Sequence, residues 1–193
     1  MMVQDQYLDV PMNKQKLTIR QDDFDFRMPT KEYIRIHEEF IKRDLIETAV
    51  VQLTHFGKVV DFEAKKDTIE YMNTAPNWDI QLHCWEHKSY AKVEYKEIVK
   101  ELAASMYYFK KLFNKFPTVW YPPYNEISPE MAKAGKEFGM RLENGLLGIE
   151  EYVKIDKGEV PVGSVSVHFH GWAGHEMVFF DRMMNYLKKY EDR

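Results

Sequence analysis

Short apolar runs alternate with longer segments of helical period along this chain, and that order of elements is its first informative feature. Leu17-Thr18-Ile19-Arg20 reads as a strand that ends in Gln21-Asp22-Asp23-Phe24-Asp25. A helix is predicted from Thr30, with Thr30 as N-cap and Tyr33, Ile34, His37, Phe40 and Ile41 at helical spacing. Ala49 to Leu53 is a second strand, ending at Thr54-His55-Phe56-Gly57. Residues 63–73 are helical in pattern and stop at Asn73 and Pro76. Trp78, Ile80 and Leu82 then alternate with polar residues as a half-buried third strand that runs into His83.

The second half continues the pattern. Lys92 to Phe116 is the longest helical segment, with Ile98, Leu102, Met106, Phe109 and Phe113 as its apolar stripe and Pro117 as its stop. Val119 to Tyr121 is a brief strand before Pro122-Pro123. Ser128-Pro129 opens another helix, a capping serine with proline at the first helical position; Gly139 closes it before a strand at 140–142. Tyr152 to Ile155 and Ser164 to Phe169 are the last strands, the latter ending at His170-Gly171-Trp172, and a final helix runs from about His175 to Tyr190. Strands alternating with helices predict an α/β fold with a parallel sheet or barrel and crossover connections. The expected organisation is a loosely held polar arm at 1–16 and one domain over 17–193.

Composition narrows the function classes. Hydrophobic content of 45% with 30% charged residues is that of an ordinary globular protein. Lys and Arg are scattered among Asp and Glu at a net charge of −4, with no basic stripe, so a nucleic-acid partner is not expected. No apolar run reaches the length of a membrane span and the N-terminus lacks a signal-peptide core, which makes a cytoplasmic location the default expectation. Cys84 is the only cysteine. A thiol-rich zinc site is therefore excluded, and any metal centre must use His and carboxylates.

The chemistry-bearing residues share a placement at the carboxyl ends of predicted strands, where parallel α/β folds build their sites. Asp22-Asp23 follow the first, His83 and His87 the third, Tyr121-Pro122-Pro123-Tyr124 a later one, and His168 and His170 finish the last. If the chain turned helical after His83, its four-residue spacing to His87 would put both imidazoles on one face, within reach of one metal ion. Neighbouring side chains leaving a strand diverge, so one aspartate can ligate that metal while the other faces a water. Two histidines and one carboxylate leave an open coordination position, as catalytic sites require. His168 and His170, two apart, share a strand face. One suits a general acid, His170 being preferred because the strand ends there, with His168 lining the floor. Trp85, Trp120, Tyr124 and Trp172 fall near the same rim, and flat rings suit the apolar face of a sugar, Trp85 and Trp172 best of all.

Asp-Asp after strand one, His-x-x-x-His after strand three, a Pro-Pro-Tyr loop and a last strand ending in His resemble the polysaccharide deacetylases, the NodB-homology enzymes of carbohydrate esterase family 4, over residues 18–172. The resemblance implies a distorted (β/α) barrel of seven strands and one divalent metal ion, commonly zinc. It implies Asp22 as catalytic base, Asp23, His83 and His87 as metal ligands, and His170 as the acid that protonates the departing sugar amine. Tyr124 would lend a backbone N–H to the oxyanion, and Tyr121, Trp85 and Trp172 would contact substrate. The reaction implied is removal of an N-acetyl group from a sugar or polysaccharide by a metal-activated water. The chain departs from the family pattern in three places. Phe24 stands where the family has Gly, Tyr121 stands where it has the arginine that tethers the base, and its fourth motif has only Glu143 and Asp156 as candidates. Without that arginine Asp22 would be more basic or less well oriented, unless Arg20 or another cation substitutes.

Two other readings share these residues. A non-catalytic metal- or sugar-binding relative of the fold is the first. The second takes His83-Cys84-Trp85-Glu86-His87 as the H-x-x-E-H motif of a zinc protease with Glu86 as base. That motif belongs on a continuous helix and leaves Asp22, Asp23, His168 and His170 without roles.

Overall fold

The computed structural model describes residues 18–143, the strands at 152–154 and 166–170, and Asp181, Met184, Asn185, Leu187 and Lys188 of the last helical segment. The arm at 1–16, Asp156, Trp172 and most of the predicted last helix lie outside the described residues.

The strands are β1 (Thr18–Phe24), β2 (Glu47–Gln52), β3 (Thr54–His55), β4 (Lys58–Val59), β5 (Trp78–Cys84), β6 (Val119–Trp120), β7 (Arg141–Leu142), β8 (Tyr152–Lys154) and β9 (Ser166–His170). The helices are α1 (Thr30–Ile41), α2 (Lys66–Thr74), α3 (Tyr95–Phe113) and α4 (Pro129–Glu137). Among the described residues, seven strands form one sheet in the order β7-β6-β5-β2-β1-β9-β8. Every recorded pairing in it is parallel. The chain steps outward from β1 to β7, then returns to lay β9 on the other side of β1. The parallel α/β architecture expected from the alternation is the one observed.

Strand alternation separates two chemistries. Ile19, Ala49, Val51, Ile80 and Leu82 belong to the hydrophobic core, together with Ile36 and Phe40 of α1 and Ile98, Leu102 and Phe109 of α3. Arg20, Thr48 and Asp79 occupy adjacent register positions on β1, β2 and β5. Thr48 Oγ1 donates to Asp79 Oδ2 at 3.3 Å, so the polar positions meet across the strands. Gln81 continues that row. Its Oε1 accepts from the backbone N–H groups of Thr118 and Val119 at 3.0 and 2.9 Å, and its Nε2 donates to Asp79 at 2.6 Å. Arg20, Thr48 and Gln81 are buried and Asp79 is half-buried, and their hydrogen bonds offset the cost of removing them from water.

Several boundaries differ from the sequence expectation. Pro29, not Thr30, is the N-cap of α1 and has no polar side chain to cap with; the Thr30 hydroxyl instead meets that of Thr68 at 2.7 Å. Asn114, in the left-handed region at φ 53°, ends α3 before Pro117 is reached, and its N–H bonds to the Lys110 carbonyl. Ser128 does cap α4, accepting from Met131 N at 3.2 Å with Pro129 at the first position. The β3–β4 hairpin was not expected; Phe56 and Gly57 at its turn both take positive φ.

Candidate metal centre

Two ladder irregularities build the site. β1 pairs regularly with β2 through Gln21↔Ala49, then shifts register before Phe24↔Val51. The residues absorbed by that bulge are Asp22 and Asp23, and Asp23 takes a left-handed backbone at φ 52°. Such a conformation is uncommon outside glycine but tolerated best by Asn and Asp, and bulges re-aim side chains. The same device recurs on β5. Val51 pairs with Leu82 and Gln52 with Cys84, so His83 is the extra residue.

His83 is therefore a strand residue, and no helix follows it. β5 continues to Cys84 and the chain bends through residues 85–88. The expectation that a helical turn aligns His83 with His87 is not met; the bend returns His87 to the same point instead. Nε2 of His83 and Nε2 of His87 lie 2.8 and 3.0 Å from Asp23 Oδ1. One donor atom from each of the three residues lies within 4.8 Å of the others, as a common metal ion requires. The continuous helix that an H-x-x-E-H protease needs is absent from this segment.

The donor chemistry fits a cation. His83 Nδ1 is 2.7 Å from the backbone carbonyl oxygen of Tyr121, which can only accept, so the ring proton sits on Nδ1. Nε2 of a neutral His83 then presents a lone pair toward a carboxylate oxygen, and that buried nitrogen is satisfied by no hydrogen bond. Only a shared cation, an extra proton or a metal ion, relieves such an arrangement. A carbonyl fixing the tautomer of a histidine is the usual outer support of a metal ligand. Burial raises the Asp23 carboxyl, but His83 and His87 outweigh it and hold it well below the usual carboxylate range. Burial lowers the His87 imidazole, and Asp23 more than reverses this and pushes it up. Cys84 is buried and its thiol is pushed far up by burial, so it stands apart from the chemistry.

Asp22, beside this triad, meets Arg20 in a two-pronged ion pair: Nε to Oδ1 at 2.6 Å and Nη2 to Oδ2 at 2.8 Å, with both side chains buried. The guanidinium carbon of Arg20 lies 4.8 Å from the centre of the Tyr121 ring. Opposite Asp22 in the β1–β9 ladder stands His170, and opposite Arg20 stands His168. The backbone thus brings both histidine positions beside the aspartate.

The aromatic positions sort differently from expectation. Tyr124 sits at φ 60° in a one-turn 3₁₀ segment, well exposed, with its ring edge-on to His87 at 5.0 Å. Tyr121 is partly buried beneath Arg20. Trp85 packs toward α3, 5.6 Å from Tyr108, and Trp120 is buried with its indole N–H on the His83 carbonyl at 2.8 Å. Phe24 leaves the bulge away from the site and stacks on Tyr33 at 4.3 Å, which accounts for a bulky residue directly after the two aspartates. Phe56, which sequence reasoning passed over, is 88% exposed at the tip of the β3–β4 hairpin. That hairpin is tied to the His83–His87 segment by the Thr54 N–H and hydroxyl, both donating to the Trp85 carbonyl at 2.9 and 2.6 Å. Its signal was available: an aromatic before glycine, directly after a strand end.

A family model described as polysaccharide deacetylase matches residues 40–142, which include His83, His87 and the Tyr121–Tyr124 loop. No curated protein sequence matches the chain. Among solved structures, a CE4 family pseudoenzyme from Bacillus anthracis is 14% identical with a TM-score of 0.63, over 92% of this chain and 62% of its own. This chain thus spans less than two thirds of that neighbour's length. The peptidoglycan deacetylase PdaC from Bacillus subtilis is 16% identical with a TM-score of 0.66, over 92% of this chain and 84% of its own. A family 4 carbohydrate esterase from Streptomyces lividans, in complex with acetate, is 12% identical with a TM-score of 0.64, over 91% and 88%. At these identities the likeness is one of fold.

Proposed function

The chain belongs to the polysaccharide deacetylase family, and from that premise we propose that it is a metal-dependent hydrolase that removes an N-acetyl group from a sugar. The observation that supports this reading best is the meeting of Asp23, His83 and His87 around one point, with the ring proton of His83 committed to the Tyr121 carbonyl. A divalent ion held by these three residues, zinc in our reading, would polarise the amide carbonyl and acidify the attacking water.

The chain's own residues supply the rest. Asp22 is not one of the three donors and is the base that takes the proton of the water as its oxygen attacks the acetyl carbon. The backbone N–H of Tyr124 steadies the oxyanion that develops. The C–N bond then breaks, and His170 gives its proton to the departing amine, leaving acetate and a free amino sugar. In this reading His168, opposite Arg20 in register, would line the floor. The neighbour from Bacillus anthracis is called a pseudoenzyme, so the fold does not carry the chemistry by itself. Here an arginine still meets the aspartate that would act as base, which favours a working site over a relic.

The test is direct. Purified protein should bind close to one zinc per chain and release acetate from an N-acetylated chito-oligosaccharide or peptidoglycan fragment. His83→Ala and Asp23→Ala should each lose most of the metal and all of the activity. Full metal retention in both variants would remove the triad from consideration.

Phe56 and Tyr124 are exposed rings at the rim, and we assign them to the apolar faces of sugar units. Phe56→Ala is expected to raise KM for an oligosaccharide about fivefold, the worth of one aromatic stack. Its kcat and metal content should stay unchanged, since the hairpin contributes no donor. An unchanged KM would leave Phe56 outside the substrate path.

A further inference from the structure

We propose that Arg20, carried on the face of the Tyr121 ring, is the positioning residue of Asp22 and keeps that carboxylate out of the Asp23–His83–His87 donor set. The inference rests on the metal-site reading above. Its first support is geometric. Arg20 and Asp22 are two apart on β1 and share a strand face, so a guanidinium at position 20 reaches a carboxylate at position 22 without leaving the strand. Both carboxylate oxygens are engaged, at 2.6 and 2.8 Å. A fork-to-fork pair fixes the plane of the carboxylate as well as its place, which a single ammonium cannot do.

The second support is what holds the arginine. The Tyr121 ring lies under the guanidinium at 4.8 Å. The ring offers its face to Arg20, a favourable surface for a buried cation. Position 121 also supplies the carbonyl that orients His83. One residue therefore touches both halves of the site, the base through Arg20 and the metal ligands through its backbone.

The third support is the proximity of the two aspartates. Asp22 directly precedes the donor Asp23 in the same β1 bulge. A free carboxylate there would be drawn onto a divalent cation, the largest charge in the site. An aspartate committed to Arg20 is kept for proton transfer instead.

The test uses the full chain, loaded with cobalt(II) for its visible spectrum and with zinc for affinity. Arg20→Met should change the cobalt spectrum as Asp22 enters coordination, and should tighten zinc binding by roughly tenfold or more as a positive charge is removed. For acetate release, kcat should fall by about a hundredfold with KM little changed. The double variant Arg20→Met/Tyr121→Arg supplies a guanidinium from the side chain that now stacks on Arg20 and should restore the wild-type spectrum, the zinc affinity and much of kcat. Arg20→Lys keeps the charge and guards against misfolding. One ammonium engages one oxygen, so this variant should still show part of the spectral change. A wild-type spectrum and zinc affinity in both Arg20→Met and Arg20→Lys would overturn the proposal, as would a double variant that folds but keeps the altered spectrum. If the wild type released no acetate while the spectra behaved as stated, the deacetylase reading would fail and the role of Arg20 would stand.

Discussion

Asp22→Asn is expected to lower kcat for acetate release by about 10²–10⁴-fold while close to one metal ion per chain stays bound. The amide has the shape of the carboxylate but cannot take a proton from water, so the chemical step loses its base. The metal should stay because the proposed donors are the neighbouring Asp23 and the two histidines, whose Nε2 atoms lie 2.8 and 3.0 Å from Asp23 Oδ1. The substitution also sets one amide N–H against the Arg20 fork, so the buried guanidinium keeps one acceptor where it had two. Some stability is therefore lost, and activity should be read well below the melting temperature of the variant. Saturating-substrate rates and metal content on the same preparation decide the matter. A variant that keeps the full rate would place the base elsewhere, and one that loses its metal would make Asp22 a ligand.

How far this site could be read from the sequence depends on which rules act locally. The strand and helix order, the Ser128 cap and the Gly139 stop follow from residues within a few positions of each other, and the structure has them. That an aspartate of the first strand end should meet His83 and His87 followed from strand ends sharing one rim, a property of parallel sheets, while the choice of Asp23 over Asp22 came from the family resemblance. The means by which they gather was not legible. A bulge is a mismatch between two strands, and neither strand's own pattern records it, so Asp22 and Asp23 read as an ordinary diverging pair. His83 and His87 read as helical for the same reason: spacing alone cannot tell a helical turn from a strand end followed by a bend. The missing arginine at position 121 was plain in the sequence. Its replacement by Arg20 was only one option there, because i, i+2 neighbours contact each other only if the strand continues through them. The exposure of Phe56 and the packing of Trp85 were equally hidden, since an aromatic residue near a strand end suits a core and a rim alike.

At the other end of the strands from the candidate metal centre, Glu47→Ala is expected to destabilise the fold by about 1–3 kcal/mol, the cost of a buried polar group left unbonded, and Glu47→Gln by far less. Glu47 opens β2 and is fully buried, with Oε2 2.8 Å from His37 Nδ1. The other nitrogen of His37 is 2.9 Å from the Pro76 carbonyl, which can only accept, so a ring proton sits there. Nδ1 and the carboxyl must then share one further proton between them. His37 is held flat against Trp78 at 3.7 Å and edge-on to Tyr71, so neither partner can turn to water. Alanine leaves the Nδ1 side buried with nothing to bond. Glutamine replaces the shared proton with an amide N–H that donates to Nδ1, and its oxygen takes the place of Oε1, which has no hydrogen-bond partner now. The pH dependence separates a neutral pair from an ion pair. Burial pushes the Glu47 carboxyl up, against the smaller opposing effect of His37, so the folded chain holds that proton more tightly than the unfolded one. Its stabilising contribution is whole below the unfolded carboxyl value and declines as pH rises toward the folded one. Urea unfolding of wild type and Glu47→Gln, followed upward from about pH 4.5, should therefore show wild type losing ground to the variant. If wild type instead gained on the variant as pH rose, the pair would be an ion pair, with the shared proton on His37.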